Sequence, residues 1–576
     1  MRLLELADAL ERLEHTRSRL TMVEYVAELL RRAARDERAS IVYVLQARLR
    51  PDYEGIEIGL GEKLLVTAIA DAFGTSAAAV RRRFRSAGDL GRVAESLAPA
   101  TARARVTVRK AYDTLLDVAR TSGSGSIKRK TSLLASLLRK VSGREAKLIV
   151  RIAQGKLRLG LGDQTILEGA ALGAFEDRRK KHVLEHAYNV RSDLGNIVCL
   201  AFDKGERAVA RVEPAPGVPV RPALAQRLPT AAAIVTRLGR VRVEPKYDGF
   251  RLQLHRDGTR VWAFSRRLEN VTPMFPELTT ALRRQLRTRR AIIEGEAIAH
   301  NPETGEFQPF QVTMTRKRKT RVAEMAERYP LRLFAFDILY AARHNCIPDP
   351  LTDRTERLRK VLPFKEDSAV AVTESATART AKELQEYFDD MIARGLEGVV
   401  AKRLDSPYQA GARGFDWVKL KRSYQSKLRD TVDVVLVGYL RGRGKRASLG
   451  IGSLLGAVYD PKHDRFRTVA KIGSGLSDAA WKALRARLDE EASAHKPPRV
   501  DSLVTPDVWV HPRIVVEVLA DEITRSPFHT CGKSGDEPGF ALRFPRMLNG
   551  VRPDKSETDA TTEREIIQMH KQQRRS

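Results

Sequence analysis

A proline-dense stretch at residues 214–222, Pro-Ala-Pro-Gly-Val-Pro-Val-Arg-Pro, separates two parts of the sequence that have different hydrophobic periods. Proline at this density stops a helix and favours an extended linker. Apolar residues recur at helical spacing before this stretch and alternate with polar residues after it. Because 576 residues exceed what one hydrophobic core usually supports, we expect several domains, with one boundary near the linker.

Residues 1–213 are predicted to form an all-α domain. One apolar stripe at helical spacing contains Leu3, Leu6, Leu10 and Leu13. Thr21 and Glu24 have the spacing of a capping box, which predicts a helix start at Thr21. A periodic segment at residues 62–73 is followed by Gly74, the usual residue after a helix C-terminus.

Two breaks between these helices combine glycine with cations. They read Thr-Ser-Gly-Ser-Gly-Ser-Ile-Lys-Arg-Lys at residues 121–130 and Lys-Leu-Arg-Leu-Gly-Leu-Gly-Asp-Gln at 156–164, where Asp163 is placed to start the next helix. Such loops bring backbone N–H groups and cations to phosphates, although a mobile linker or a plain helix connection has the same composition. No acid or base cluster accompanies them, so the pattern favours a binding domain over a catalytic one.

Two further domains are expected after the linker. Residues 218–424 mix strands with a helix at 381–394, which predicts an α+β domain; its strands are expected at 241–243, 252–255, 260–264, 291–299, 331–340 and 397–402. Residues 425–576 contain short strands with glycine turns and one helix near 477–491, which fits a β-barrel.

The net charge of +31 comes from 103 Lys and Arg against 72 Asp and Glu. It favours a polyanionic partner, most simply nucleic acid, although a proteome of generally basic proteins would give the same balance. The three cysteines are far apart, which argues against a disulfide framework or a cysteine-rich zinc site. Without a signal peptide or an apolar run of about 18 residues, we expect a cytoplasmic protein that contacts no membrane.

The stretch Glu-Pro-Lys-Tyr-Asp-Gly-Phe-Arg at residues 244–251 is the strongest candidate for chemistry. Strand alternation places Glu244, Lys246 and Asp248 on one face. A lysine acts as a nucleophile only when it is unprotonated, so Lys246 needs burial or nearby cations that depress its pKa. Candidate cations are Arg251, Arg266, Lys402, Lys419 and Lys421. Their number also suggests a polyanionic substrate such as a triphosphate.

Other stretches have both a functional and a structural interpretation. Alternation puts Glu294 and Glu296 on one face, where paired carboxylates hold Mg²⁺ or simply line a solvated edge strand. Glu397 adds another carboxylate. Phe334 and Phe336 share a face, and one of them stacks on a base unless both belong to the core.

Six short motifs follow one another in the order and approximate spacing of the motifs of the covalent nucleotidyltransferases. They are Lys-Tyr-Asp-Gly (246–249), Ser-Arg-Arg (265–267), Glu-Gly-Glu (294–296), Phe-Ala-Phe-Asp (334–337), Glu-Gly-Val-Val-Ala-Lys (397–402) and Trp-Val-Lys-Leu-Lys (417–421). The chain resembles most closely the ATP-dependent DNA ligases of the three-domain type. Residues 156–164 look like that family's helical-domain signature, and residues 543–546 and 552–555 look like its C-terminal motif.

The resemblance implies a helical DNA-binding domain (1–213), an adenylation domain (218–424) and an OB-fold barrel (425–576). Lys246 would attack the α-phosphate of ATP and hold AMP, which then passes to the 5′-phosphate of a nick. The implied ATP-binding residues are Glu244 and Phe336 at the adenine, Arg251, Arg266 and Glu296 at the ribose or phosphate, and Arg413, Lys419 and Lys421 at the phosphates. Glu296 and Glu397 would hold Mg²⁺, and Arg552 and Lys555 would orient pyrophosphate.

The implied partner is nicked double-stranded DNA, bound by a monomer; a contact with a sliding clamp is left open. An NAD-dependent ligase is expected to carry a four-cysteine zinc module, which three scattered cysteines do not supply. An RNA-capping or RNA-joining enzyme would lack the helical domain with the signature at 156–164. A catalytically silent nucleic-acid scaffold is the alternative from a different class, and the presence of Lys246, Glu296, Glu397 and Lys419 together argues against it.

Overall fold

The computed structural model gives the arrangement of most of the chain. The residues described are 1–300, 307–308, 312–313, 315–316, 320–363, 368–394, 396–421, 431–442, 450–520 and 522–573. They form a helical N-terminal region, a middle region of two sheets with helices, and a strand-rich C-terminal region.

Twelve helices build residues 1–210, all of which are described. They are α1 Leu3–His15, α2 Arg19–Arg32, α3 Arg38–Leu45, α4 Glu62–Phe73, α5 Ala77–Ala87, α6 Leu90–Leu97, α7 Val108–Arg120, α8 Ser126–Leu138, α9 Gly143–Gln154, α10 Asp163–Phe175, α11 Lys181–Val190 and α12 Leu194–Ala210. Their apolar faces share one core that includes the predicted leucine stripe of α1. The all-α prediction is confirmed.

Helix ends follow the predictions in part. Helix α4 ends at Gly74 as expected, because a backbone φ of 63° suits glycine. Helix α2 starts earlier than predicted: Ser18 is its N-cap and accepts a hydrogen bond from the Thr21 amide, so Thr21 lies inside the first turn. In the part of the chain that is described, no single helix is both long and apolar enough for a membrane span, and the bent pair α4 and α5 meets that test by length and composition alone.

The middle region contains eleven strands and five helices among its described residues. The strands are β1 Leu224–Arg227, β2 Val241–Lys246, β3 Phe250–Asp257, β4 Arg260–Ser265, β5 Arg290–Ala299, β6 Leu331–Ala341, β7 His344–Asn345, β8 Val370–Val372, β9 Ala376–Ala378, β10 Gly398–Arg403 and β11 Arg413–Lys421. The helices are α13 Ala231–Leu238, α14 Pro276–Gln285, α15 Val322–Arg328, α16 Leu351–Val361 and α17 Ala381–Ala393.

These strands form two sheets. One has the order β1-β11-β10-β2-β9, and the other has the order β4-β3-β5-β6-β7 with β8 paired to β6. Helices α13 and α17 pack on the first sheet and α14 on the second, so each sheet has its own apolar core. The predicted α+β architecture is therefore present.

The C-terminal region consists of β12 Thr431–Leu440, β13 Ser453–Asp460, β14 Arg465–Ile472, β15 Ala492–Ser493, β16 Val500–Asp501, β17 Val508–Leu519, β18 Glu522–Ser526, β19 Gly539–Arg543 and β20 Arg546–Val551, with α18 Asp478–Glu490 and α19 Glu563–Gln573. The main sheet runs β15-β17-β12-β13-β14-β16, with β20 on β17. The region is strand-rich as predicted, but the described strands do not close into a barrel. The predicted boundary between residues 424 and 425 lies outside the described residues.

The proline-rich linker is held against strand β3. The Gly217 amide donates to Nδ1 of His255 at 3.1 Å, and the Val220 amide donates to Oε1 of Gln253 at 2.8 Å. His255 Nε2 donates to the same Oε1 at 2.8 Å, which assigns Nδ1 as the acceptor. The His255 ring is fully buried, and burial lowers its pKa to about 3.

Acid is expected to loosen this linker. His255 stays neutral in the fold but takes up a proton near pH 6.5 when unfolded, so its contribution to stability is present above that pH and is lost as pH falls toward 3. Between pH 7 and pH 5 the local free energy of unfolding should fall by about 2 kcal/mol more in the wild type than in His255→Asn. Amide hydrogen exchange of β3, corrected for intrinsic rates, measures this difference.

The exposed His182 supplies the control, since His182→Asn should keep the wild-type pH dependence. Equal pH dependence of β3 exchange in the wild type and in His255→Asn would contradict the prediction.

Candidate active site

One cavity of ≈ 1080 Å³ lies between the middle and C-terminal regions. Its lining includes all ten residues predicted for the nucleophile, ATP or Mg²⁺, namely Glu244, Lys246, Arg251, Arg266, Glu296, Phe336, Glu397, Arg413, Lys419 and Lys421. The structure therefore brings together side chains that lie up to 177 positions apart in the sequence, from Glu244 to Lys421.

Strand register explains how the lysines reach this cavity. Strands β2, β10 and β11 are neighbours in one antiparallel array. Lys246 lies opposite Gly398, which lies opposite Lys421. A Cβ on Gly398 would lie 2.1 Å from the Leu420 carbonyl oxygen, so only glycine allows the strands to approach this closely here.

Lys246 stands at the end of β2 beside Glu397. The two oxygens of the Glu397 carboxylate contact the ammonium groups of Lys246 and Lys421, one each. Burial favours the neutral amine of Lys246, but the Glu397 charge and hydrogen bond outweigh it and raise the pKa of Lys246. This is opposite to the expected depression. Burial and the Lys246 charge lower the pKa of Lys421 instead.

Glu244 and Phe336 occupy another part of the lining. Glu244 is buried, and its carboxylate accepts from Arg242 Nε at 2.7 Å and pairs with Lys402 Nζ at 2.6 Å. The Lys402 ammonium lies 4.6 Å from the centre of the Phe336 ring and 4.2 Å from that of Trp417. These contacts make a cationic and aromatic corner.

Phe334 has a different environment from Phe336. Its ring stacks on Tyr247 with 4.4 Å between centroids and packs, half-buried, against the core of the first sheet. Of the two predicted stacking candidates, Phe336 alone lines the cavity.

The two carboxylates of the Glu-Gly-Glu stretch lie in different surroundings. Glu296 lines the cavity, where burial raises its pKa to about 7. Glu294 lies outside the main cavity and is buried, and it accepts hydrogen bonds from Arg251 at 2.8 Å and from Tyr408 at 2.6 Å. Neither interpretation of this pair holds: β5 lies between β3 and β6 rather than at an edge, and Glu294 binds Arg251 instead of sharing the cavity with Glu296.

The C-terminal region supplies carboxylates that the sequence patterns did not reveal. Arg266 pairs with Asp559 at 3.3 Å, and Arg413 pairs with Glu565 at 2.6 Å. Arg413 also donates to the Asp559 carbonyl oxygen at 3.0 Å. Cations of the middle region thus contact acidic residues of the C-terminal region in this closed arrangement. No short motif predicts such contacts, since they depend on how two regions dock.

The signature at residues 156–164 lies away from the cavity. Lys156 Nζ contacts Glu490 Oε2 at 2.8 Å, and Arg158 donates to the Glu490 carbonyl oxygen at 2.9 Å. Asp163 is the first residue of α10 rather than its cap, and its carboxylate accepts from Gln46 and from Tyr188. This stretch therefore joins the helical region to the C-terminal region.

Comparison with known proteins covers most of the chain. Residues 2–171 match the family described as DNA ligase N terminus, residues 222–421 match ATP dependent DNA ligase domain, and residues 447–555 match ATP dependent DNA ligase C terminal region. A solved structure of mycobacterial DNA ligase D complexed with ATP and MES is 24% identical, covers 59% of this chain and 97% of its own, and has a TM-score of 0.32.

Curated relatives match over nearly their whole length. A probable DNA ligase of Dictyoglomus thermophilum is 46% identical, covering 99% of this chain and 98% of the relative. DNA ligase 2 of Thermofilum pendens is 41% identical, covering 99% and 97%. The chain therefore belongs to the ATP-dependent DNA ligases, which seal nicks in DNA through an enzyme-bound adenylate.

Proposed function

We propose that Lys246 is the residue that carries the adenylate. The ammonium first loses a proton to solvent, because only the neutral amine has a lone pair. The amine then attacks the α-phosphorus of ATP, a phosphorus–nitrogen bond forms with release of a second proton, and the bond to the pyrophosphate oxygen breaks. AMP then passes to the 5′-phosphate of a nick, and the adjacent 3′-hydroxyl displaces it. The observation that carries this proposal is the single cavity that places Lys246 among the other nine predicted site residues.

The nucleotide contacts are proposed from the family resemblance, and the shared cavity supports them. Glu244 accepts from the adenine amino group, since a carboxylate has room for more hydrogen bonds than the two it makes. Phe336 stacks on the base. The phosphates and ribose are met by Arg251, Arg266, Glu296, Arg413, Lys419 and Lys421. Burial and neighbouring cations lower the pKa of Lys419 well below its usual range, and a polyanion would restore its charge.

Glu296 and Glu397 are proposed to hold Mg²⁺. Both are oxygen donors in the cavity, which is what a hard cation prefers. The residues fit the ion: burial raises the pKa of Glu296, and a nearby cation would oppose that shift by favouring the ionised carboxylate. Bound there, Mg²⁺ would supply positive charge beside the phosphates.

Nicked double-stranded DNA is the proposed substrate, and three domains are proposed to surround it. Their boundaries are 1–213, 218–424 and 425–576, and the strand-rich third domain is assigned to the OB-fold. The net charge of +31 supports a polyanionic partner. We further propose that the protein acts as a monomer in the cytoplasm, with a sliding clamp as a candidate partner.

Mass spectrometry tests the adenylation directly. After incubation with ATP and Mg²⁺, the protein should gain the mass of one AMP, and peptide mapping should place it on Lys246. An unchanged mass, or AMP mapped to another residue, would overturn the assignment. A nicked duplex should be sealed with ATP and not with NAD, which identifies ATP as the source of the AMP group.

A further inference from the structure

Two cations of the C-terminal region enter the cavity from one turn. Strand β20 is followed by Arg552-Pro553-Asp554-Lys555, and all four residues line the cavity. The Arg552 amide donates to the Val515 carbonyl oxygen at 2.8 Å, and the Lys555 amide donates to the Arg552 carbonyl oxygen at 3.2 Å. The turn therefore brings both side chains to the same side.

Asp433 lies between these two cations. It is on β12, faces the cavity, and has a side chain that is only 5% exposed. One carboxylate oxygen contacts the Lys555 ammonium, and the other lies 3.6 Å from Arg552 Nη1. The backbone of Asp433 is fixed by Thr561, whose amide donates to its carbonyl oxygen and whose hydroxyl accepts from its amide.

Two neighbouring cations at a partly buried site repel each other unless a carboxylate separates them. Burial lowers the pKa of Lys555 to about 8, and the Asp433 carboxylate opposes that shift. Arg552 also pairs with Asp554 at 2.8 Å, so removal of the Asp433 charge would chiefly release Lys555 from its place beside Arg552 and weaken the charge on Lys555. The middle region offers Glu397 as a similar bridge between Lys246 and Lys421.

We propose that Asp433 is a positioning residue for adenylation: it holds Lys555 and Arg552 together over the cavity, where they receive the pyrophosphate that leaves when Lys246 attacks ATP. The inference rests on the function proposed above. As the α-phosphorus–oxygen bond breaks, its electron pair goes to the pyrophosphate oxygen, and the two cations neutralise the growing charge. Nick closure expels AMP and no pyrophosphate, so it does not need this arrangement.

The test separates these two reactions. Asp433→Asn keeps the size of the side chain and removes its charge. The rate of Lys246 adenylation with ATP should fall by about 100-fold, as expected when reacting groups lose their placement. Sealing of a nick that already carries a 5′-adenylate, measured without ATP, should match the wild type. A general folding defect would slow both reactions.

Asp464→Asn is the matched control. Asp464 is also a buried carboxylate of the C-terminal region, where it pairs with Arg499 at 2.7 Å, but it does not line the cavity. It should leave both reactions at wild-type rates. Adenylation by Asp433→Asn at the wild-type rate, or equal losses in both reactions, would overturn the proposal.

A double-mutant cycle then tests whether Asp433 acts through Lys555. Adenylation by Lys555→Ala should be slowed, and adding Asp433→Asn should slow it little further. Additive losses would overturn a role through Lys555. Failure of the proposed function looks different, because the wild type itself would then form no adenylate on Lys246.

Discussion

Lys246→Arg is expected to lose self-adenylation by roughly 10⁴-fold or more, the size of effect seen when an enzyme loses its nucleophile. Arginine preserves the positive charge beside Glu397 and Lys421. Its guanidinium stays protonated, however, and has no lone pair for the α-phosphorus. The variant therefore separates the charge of Lys246 from its nucleophilicity.

The measurement is transfer of α-labelled AMP to the protein, with binding of nicked duplex in EDTA as the check that the fold survives. Lys360→Arg is the matched control, because Lys360 also pairs with a glutamate, Glu356, but on the exposed surface of α16. Stable labelling of Lys246→Arg at any residue would show that another group is the nucleophile.

Local patterns predicted the part of the site that lies on one strand. Alternation along β2 puts Glu244 and Lys246 in the same cavity, because neighbouring residues on a strand point to opposite faces. Lys421 meets Glu397 because of the register between β10 and β11, since Glu397 lies in the loop just before β10. Periodicity does not specify such pairing between strands, so the raised pKa of Lys246 was not predictable from the cations alone.

The role of Glu294 shows a second limit of sequence patterns. Glu294 and Glu296 have the predicted alternation, yet Arg251 and Tyr408 bind Glu294 within the fold. Tyr408 is 114 residues away from Glu294, so this buried network depends on tertiary packing. Patterns along the sequence do not reveal Asp559 and Glu565, because each meets its cation only when the C-terminal region docks on the middle region. They do not reveal Asp433 either, because it meets Lys555, 122 residues away, only when the C-terminal region folds.

Helix starts were harder to predict than helix interiors. The composition of residues 121–130 predicts a loop, but Gly125 is the N-cap of α8 and Ser126 begins the helix. Lys128 and Arg129 therefore lie in its first turn. Glycine after serine resembles a flexible linker in sequence, whereas here a φ of 69° at Gly125 starts the helix.

The cations in this first turn bear on the affinity for DNA. Binding to nicked duplex should weaken by about 10³-fold between 50 and 200 mM salt, as expected when six or more phosphates are contacted. The helical region presents many exposed cations, Lys128 among them, near backbone N–H groups at the start of α8. Cations at a helix N-terminus bind phosphate together with those groups.

Lys128→Gln should weaken binding by the same factor for every DNA sequence. It should also reduce the steepness of log affinity against log salt by about 1. Lys130→Gln is the matched control, since Lys130 Nζ donates to the Ile58 carbonyl oxygen at 2.9 Å and so binds a group of the helical region instead of DNA phosphate. Fluorescence anisotropy at several salt concentrations gives both slopes. An affinity that stays constant with salt would mean that the net charge of +31 does not serve DNA binding, and equal slopes for Lys128→Gln and the wild type would remove α8 from the DNA-binding surface.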